Sequence, residues 1–322
     1  MNTITDERKQ IIKSALFEKG ATKKMLADID NIQEIIFLIT ELKECTSKNV
    51  GFNINDSCEF LYKHLISKFS ELTEYFMISD NSTGGLFLYN NYAYIFSDEN
   101  IANEAVKNFS DAGVECSLFR TSSLNMNTFE YLYYLGIKYL MIDFTAYSIA
   151  VNRSEIRSNA QIKKDNKDNN DFELKANPSL RFAISNFYSS LKNKNALSID
   201  DKRLKNLENI MIYETANAKF LVPVKEKITD KTLPDDNIKI EIAKANLESQ
   251  GELITVFTDK MDFDKTYPKG WNYSMLDFNS ITEIALKSDC NGIVVNVSSE
   301  RLSIDKNTIL HIRETAKHMK IK

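Results

Sequence analysis

The sequence predicts an α+β chain: two mixed α/β modules behind an N-terminal helical extension. Three observations carry that expectation. Apolar residues recur at helical spacing through the first seventy positions, then give way after Glu74 to short apolar runs bounded by turn residues. An alternation of strand and helix signals then occurs twice, over 73–158 and again over 205–322. The length of 322 residues is ample for two domains of ordinary size.

Each element follows from local patterning. Ile11, Ile12, Ala15 and Leu16 form one apolar stripe; Ile32, Ile35, Ile36, Ile39 and Leu42 form another. A third helix is predicted from Asp56, with Asp56 as its cap, Glu59 reaching back, and Phe60, Leu61, Leu65 and Phe69 on the buried face. His64 lies beside that face, where a structural role is the simpler reading. These helices make up an extension over 1–72. Residues 75–78 are a short apolar run and 81–85 a turn, after which 86–89 and 92–96 read as a hairpin turning on Asn90 and Asn91. A helix follows over 99–109. Asn127 and Glu130 are placed to cap a short helix that Gly136 ends, and 137–142 has the pattern of a buried strand.

Residues 152–171 are polar and poor in aromatics, which suits a boundary loop, and 159–204 reads as a linker with a helix through Leu180, Ala183, Phe187 and Leu191. A second helical segment carries Leu204, Leu207, Ile210, Met211 and Ala218. Residues 219–224 then form a strand whose Pro223, lacking an N–H, favours a sheet edge or a strand end. Further strands are expected at 238–243, 252–257 and 293–297. Thr258 and Asp259 can cap a short helix, Ser280 and Glu283 another, and a terminal helix is expected from about 305 to 316.

Composition excludes several classes. Lysine and arginine number 41 against 45 acidic residues, a net charge of −4, so the phosphate-neutralising excess of a nucleic-acid binder is missing and no nucleic-acid or membrane partner is expected. The densest apolar stretch, 131–150, is interrupted by Lys138 and Asp143, and the first twenty residues carry many charges, so a cytoplasmic location is expected. Cys45, Cys58, Cys116 and Cys290 form no close pair, and His64, His311 and His318 are the only histidines, so no metal or other cofactor is predicted. There is no P-loop, no Gly-rich dinucleotide turn and no nucleophile elbow.

Residues 205–310 resemble the SseB family, the enhanced-serine-sensitivity type. The resemblance rests on ordered pieces: a helix leading to Phe220-Leu221-Val222-Pro223-Val224, then Ile254-Thr255-Val256-Phe257-Thr258-Asp259, then Asn291-Gly292-Ile293-Val294-Val295-Asn296, then Glu300-Arg301-Leu302 and Ile304. It implies a compact mixed α/β domain and no particular reaction. The usual continuation after the Gly-Ile-Val-Val-Asn strand is replaced here by Val297-Ser298-Ser299. A diverged copy is suggested over 75–158, where Ile95-Phe96-Ser97-Asp98 parallels Val256-Phe257-Thr258-Asp259 and Gly136-Ile137 parallels Gly292-Ile293.

The candidate surface lies in the second module. Asp259 follows a strand, with Asp262 and Asp264 beyond it in a spacing that lacks the glycine and later ligands of a calcium loop. Tyr267, Trp271 and Tyr273 supply aromatic rings with polar handles, suited to anchoring a partner, and Asn296 and Glu300 join them if the chain folds back. The functional expectation is a non-catalytic protein-interaction or regulatory module with a protein partner. The alternative is a small-molecule-binding enzyme, such as a hydrolase, without a recognisable active-site motif.

Overall fold

A computed structural model of the chain describes residues 4–19, 22–45, 53–124, 126–165, 177–228, 238–267 and 269–318. The end of the expected 152–171 loop and Pro268 lie outside the described residues. The fold is mixed α/β and divides into two compact units. The first comprises Met1–Ser82, Leu86–Leu132 and Ile137–Lys164; the second comprises Thr83–Gly85, Tyr133–Gly136 and Asp165–Lys322. The helices of the first 72 residues fall within the first unit, and the 159–204 stretch divides between the two. Among the described residues no helix is long and apolar enough to cross a membrane.

The first unit opens with helices α1 (Asp6–Lys19), α2 (Lys23–Ala27), α3 (Ile32–Glu44) and α4 (Ile54–Ser70). The α3 stripe of Ile35, Ile36, Ile39 and Leu42 is buried as its spacing predicts. The cap of α4 is Asn53 rather than Asp56: the Asn53 side chain already accepts from the N–H groups of Asn55 and Asp56, so the helix starts earlier. His64 is half-buried, its Nε2 lying 2.9 Å from the Ile29 carbonyl.

Strands β1 (Phe76–Asp80), β2 (Gly85–Leu86), β3 (Leu88–Tyr89) and β4 (Tyr92–Phe96) follow. The β3–β4 hairpin turns on Asn90 and Asn91, both at positive φ, as a two-residue turn requires. After α5 (Glu99–Asp111) comes β5 (Cys116–Arg120), then α6 (Thr128–Tyr134), β6 (Tyr139–Ile142) and β7 (Ile149–Asn152). The sheet runs β2-β1-β4-β6-β7, with β3 on β4 and β5 on β1, and β4 pairs with β6 in parallel. The expected 152–171 loop instead begins with α7 (Arg153–Ile156), opened by a capping box of Asn152 and Glu155, and α8 (Asn159–Asp165).

The second unit contains helices α9 (Pro178–Lys192) and α10 (Asp201–Asn217) and strands β8 (Lys219–Ile228), β9 (Ile238–Ile242), β10 (Lys244–Leu247), β11 (Gly251–Val256), β12 (Asn272–Asp277), β13 (Gly292–Val295) and β14 (Leu302–Asp305); both helices share one apolar core with β8, β11, β13 and β14. Helices α11 (Lys260–Thr266), α12 (Phe278–Lys287) and α13 (Lys306–His318) complete it. Asp277, not Ser280, caps α12, taking the N–H of Ser280 itself, and Glu283 pairs with Lys287. Strand order is β10-β11-β13-β14 in one sheet and β12-β8-β9 in the other. Leu221 of β8 and Phe257 bridge the two sheets with reciprocal backbone hydrogen bonds of 2.9 Å.

Pro223 is not at an edge. It lies inside β8, the middle strand of its sheet, and the chain accommodates it by a break between β9 and β10. The Ala243 N–H donates to the Pro223 carbonyl, but the Ala243 carbonyl turns to the Thr255 N–H of β11, 3.0 Å away. A proline has no N–H to offer that carbonyl, so the strand transfers from β8 to β11 at this point. The main core gathers Phe220, Val222, Ile254, Val256, Phe278, Ile281, Ile293, Val295 and Ile304.

Candidate functional site

The parallel strands β11 and β13 end side by side, and at their carboxyl ends lies a buried ionic clasp. Thr258 and Asp259 follow β11. Asp259 caps α11, one carboxylate oxygen accepting the Asp262 N–H at 3.0 Å. Its other oxygen accepts from Thr258 Oγ1 at 2.7 Å and from Arg181 Nη1 at 2.8 Å. The same Nη1 donates to Asp262 Oδ2, which also accepts from Ser299 Oγ. Arg181 Nη2 reaches Glu300 at 3.0 Å. Asn296 follows β13 at φ 51°, its carbonyl oxygen accepting the Thr258 N–H and its amide donating to Thr258 Oγ1. One guanidinium thus holds three carboxylates, and all four side chains are at most 6% exposed.

Electrostatics follow from that count. Burial alone would lower the Arg181 pKa, but Glu300, Asp259 and Asp262 outweigh it and hold the guanidinium firmly charged. Burial also raises the Asp262 carboxyl above its ordinary value; Arg181 and the Ser299 hydroxyl oppose this, while Asp259 and Glu300 reinforce it.

On the other flank of α11, Leu221, Phe257 and Phe263 form a small buried cluster apart from the main core, covered by half-buried Tyr267, Trp271, Tyr273, Met275 and Val297. The Tyr267 ring lies 5.8 Å from Phe257 and 5.3 Å from Trp271; Phe263 meets Tyr273 at 5.4 Å. Lys225 Nζ stands 5.9 Å over the Trp271 ring. Tyr267 and Trp271 form one wall of a cleft of about 680 Å³. Ile242, Ala243 and Lys244, where β9 passes into β10, line it as well, with Ile254, Ile284 and Cys290. Among the described pairings, β9 and β10 are edge strands.

The six residues expected on one surface therefore separate into two groups. Asp259, Asn296 and Glu300 do come together, but as buried members of the clasp or its support, because each finds an internal partner that water would otherwise supply. Tyr267, Trp271 and Tyr273 come together at the partly exposed aromatic wall, with Trp271 immediately preceding β12. Asp264 pairs with Lys260 at the surface. Arg181 was not anticipated; its signal is a charged residue set directly beside Leu180 in the apolar stripe of α9. Among the described residues no three His, Cys, Asp or Glu side chains are grouped to hold a metal ion. Comparison with protein-family models, with curated proteins and with solved structures finds no match.

Proposed function

We propose that the chain is a tandem of two SseB-like modules acting as a non-catalytic protein-interaction or regulatory protein. Its second module takes an extended segment of a protein partner along the β9–β10 edge and against the aromatic wall. What supports the tandem reading is a match of pairings. In the first unit Phe76 pairs with Phe96, Ile95 with Ile142, and Ile142 with Ile149. In the second, Leu221 pairs with Phe257, Val256 with Val295, and Val295 with Leu302. The Phe87 N–H donates to the Ile78 carbonyl as that of Ala243 does to Pro223, which extends the match one strand further.

The observation that carries the binding reading is the cleft itself. It brings an edge strand, whose outer N–H and C=O groups are complementary to an extended backbone, beside Tyr267 and Trp271. The acids of the clasp are spent on Arg181 and lie below the surface, which favours recognition over acid–base catalysis. Trp271 is the one tryptophan of the chain, so its fluorescence reports on this cleft alone. Extended heptapeptides selected from a displayed library against the full chain are expected to change that emission saturably. Trp271→Ala is expected to weaken their capture at least tenfold while the protein stays folded. Equal capture by the folded variant defeats the proposal.

A further inference from the structure

The clasp and the aromatic wall share one short element. Asp262 sits in the first turn of α11 and faces Arg181 of α9; Tyr267, at the other end of that helix, donates its N–H to the Phe263 carbonyl and packs its ring on Trp271. The buried clasp holds one positive and three negative groups. Fully ionised, it would bury two uncompensated negative charges, a costly arrangement in a low-dielectric interior. Two carboxylate oxygens, from Asp259 and Asp262, converge on the single Arg181 Nη1, so that donor is divided between them.

From this geometry we infer that Asp262 is a proton-operated latch: protonated, it lets α11 seat on Arg181; ionised, it loosens α11 and shifts the Tyr267–Trp271 wall. The charged groups facing Asp262 are Arg181 from α9, Asp259 at the start of its own helix, and Glu300 from the segment after β13, with the Ser299 hydroxyl as a neutral donor. Lys260 and Asp264, the other charges of that turn, pair with each other at the surface. The direction in which burial moves the Asp262 carboxyl agrees with this reading. Ionisation releases the proton to solvent and leaves Asp259 and Asp262 to repel each other across Nη1. Whether or not the cleft takes a peptide, the latch acts on its wall.

The experiment is a titration of Trp271 emission in the full chain, from about pH 4 to pH 9, with no ligand added. The wild type is expected to show a transition above the ordinary carboxylate range of about 4. Asp262→Asn, which keeps the shape of the protonated acid, is expected to abolish it and to hold the low-pH spectrum throughout. Glu300→Gln removes one facing negative charge and is expected to move the midpoint down by about one pH unit. This second variant decides the matter if the first fails to fold. A flat wild-type profile, a transition that survives Asp262→Asn, or a midpoint unmoved by Glu300→Gln overturns the latch. Since no peptide is present, failure here is distinct from failure of the cleft to bind.

Discussion

The ends of the two parallel strand pairs, β4–β6 in the first unit and β11–β13 in the second, share a backbone joint and differ in charge. In each, the residue after the second strand sits at φ 51° and donates its N–H to the first strand: Asp143 to the Ile95 carbonyl, Asn296 to that of Val256. In each, its side chain accepts the N–H of a hydroxyl residue just past the neighbouring strand, Ser97 or Thr258. The first joint is a buried carboxylate served by neutral donors, Ser97 and Gln33. The second is a neutral amide, with the charge moved one shell out to Asp259, Asp262 and Glu300 and answered by Arg181. The lesson is that backbone geometry selects a short polar side chain tolerant of the left-handed region, and leaves open where the charge resides.

The sharpest way to break this comparison is to remove the cation from one side. Arg181→Met leaves three buried carboxylates without their partner and is expected to destabilise the second unit by about 3–5 kcal/mol, read by urea unfolding. A loss below about 1 kcal/mol would show that the clasp is no more than a surface-like pair. On the other side, Gln33→Leu removes one neutral donor from Asp143 and is expected to cost about 1–3 kcal/mol. If it cost as much as Arg181→Met, the two joints would be energetically alike and the contrast would fail.

A smaller effect sharpens it. Burial raises the Asp143 carboxyl above its ordinary value, against the hydrogen bonds from Ser97 and Gln33. A carboxyl raised on folding contributes most below the ordinary carboxylate range, and that contribution is lost as pH climbs through its folded value. Asp143→Asn copies the second unit's amide into the first, so the fall in melting temperature with rising pH should flatten. Parallel profiles for wild type and variant would show that Asp143 does not titrate differently on folding.

Much of this was legible in the sequence. The Asn90-Asn91 hairpin, the α3 stripe and the Asp259 cap rest on local rules and stand where those rules put them. Burial of Asp259, Asn296 and Glu300 was not legible, because it depends on Arg181, 78 residues before Asp259 and 119 before Glu300. Strands β5, β7, β10, β12 and β14 were not among those expected. The burial of β5 is partial and uniform, without the alternation that marks a strand, whereas β12 does alternate, half-buried Tyr273 and Met275 against exposed Asn272 and Ser274, a signal legible in the sequence and passed over. The four-residue β7 is defined by its antiparallel pairing to β6 more than by its own pattern. Pro223 misled because the rule it obeys is met by a break in its neighbour, which no local window reveals.

That break at Ala243 also limits what the edge could read. The two arms pair inward with different strands, β9 with β8 and β10 with β11, so a guest on the outer side would meet two short runs joined at Ala243. The arms are five and four residues long. A recognised word would therefore be short, and its specificity would have to come from the few side chains beside the break. The same interruption denies a second edge strand the long continuous run on which sheets stack into fibrils.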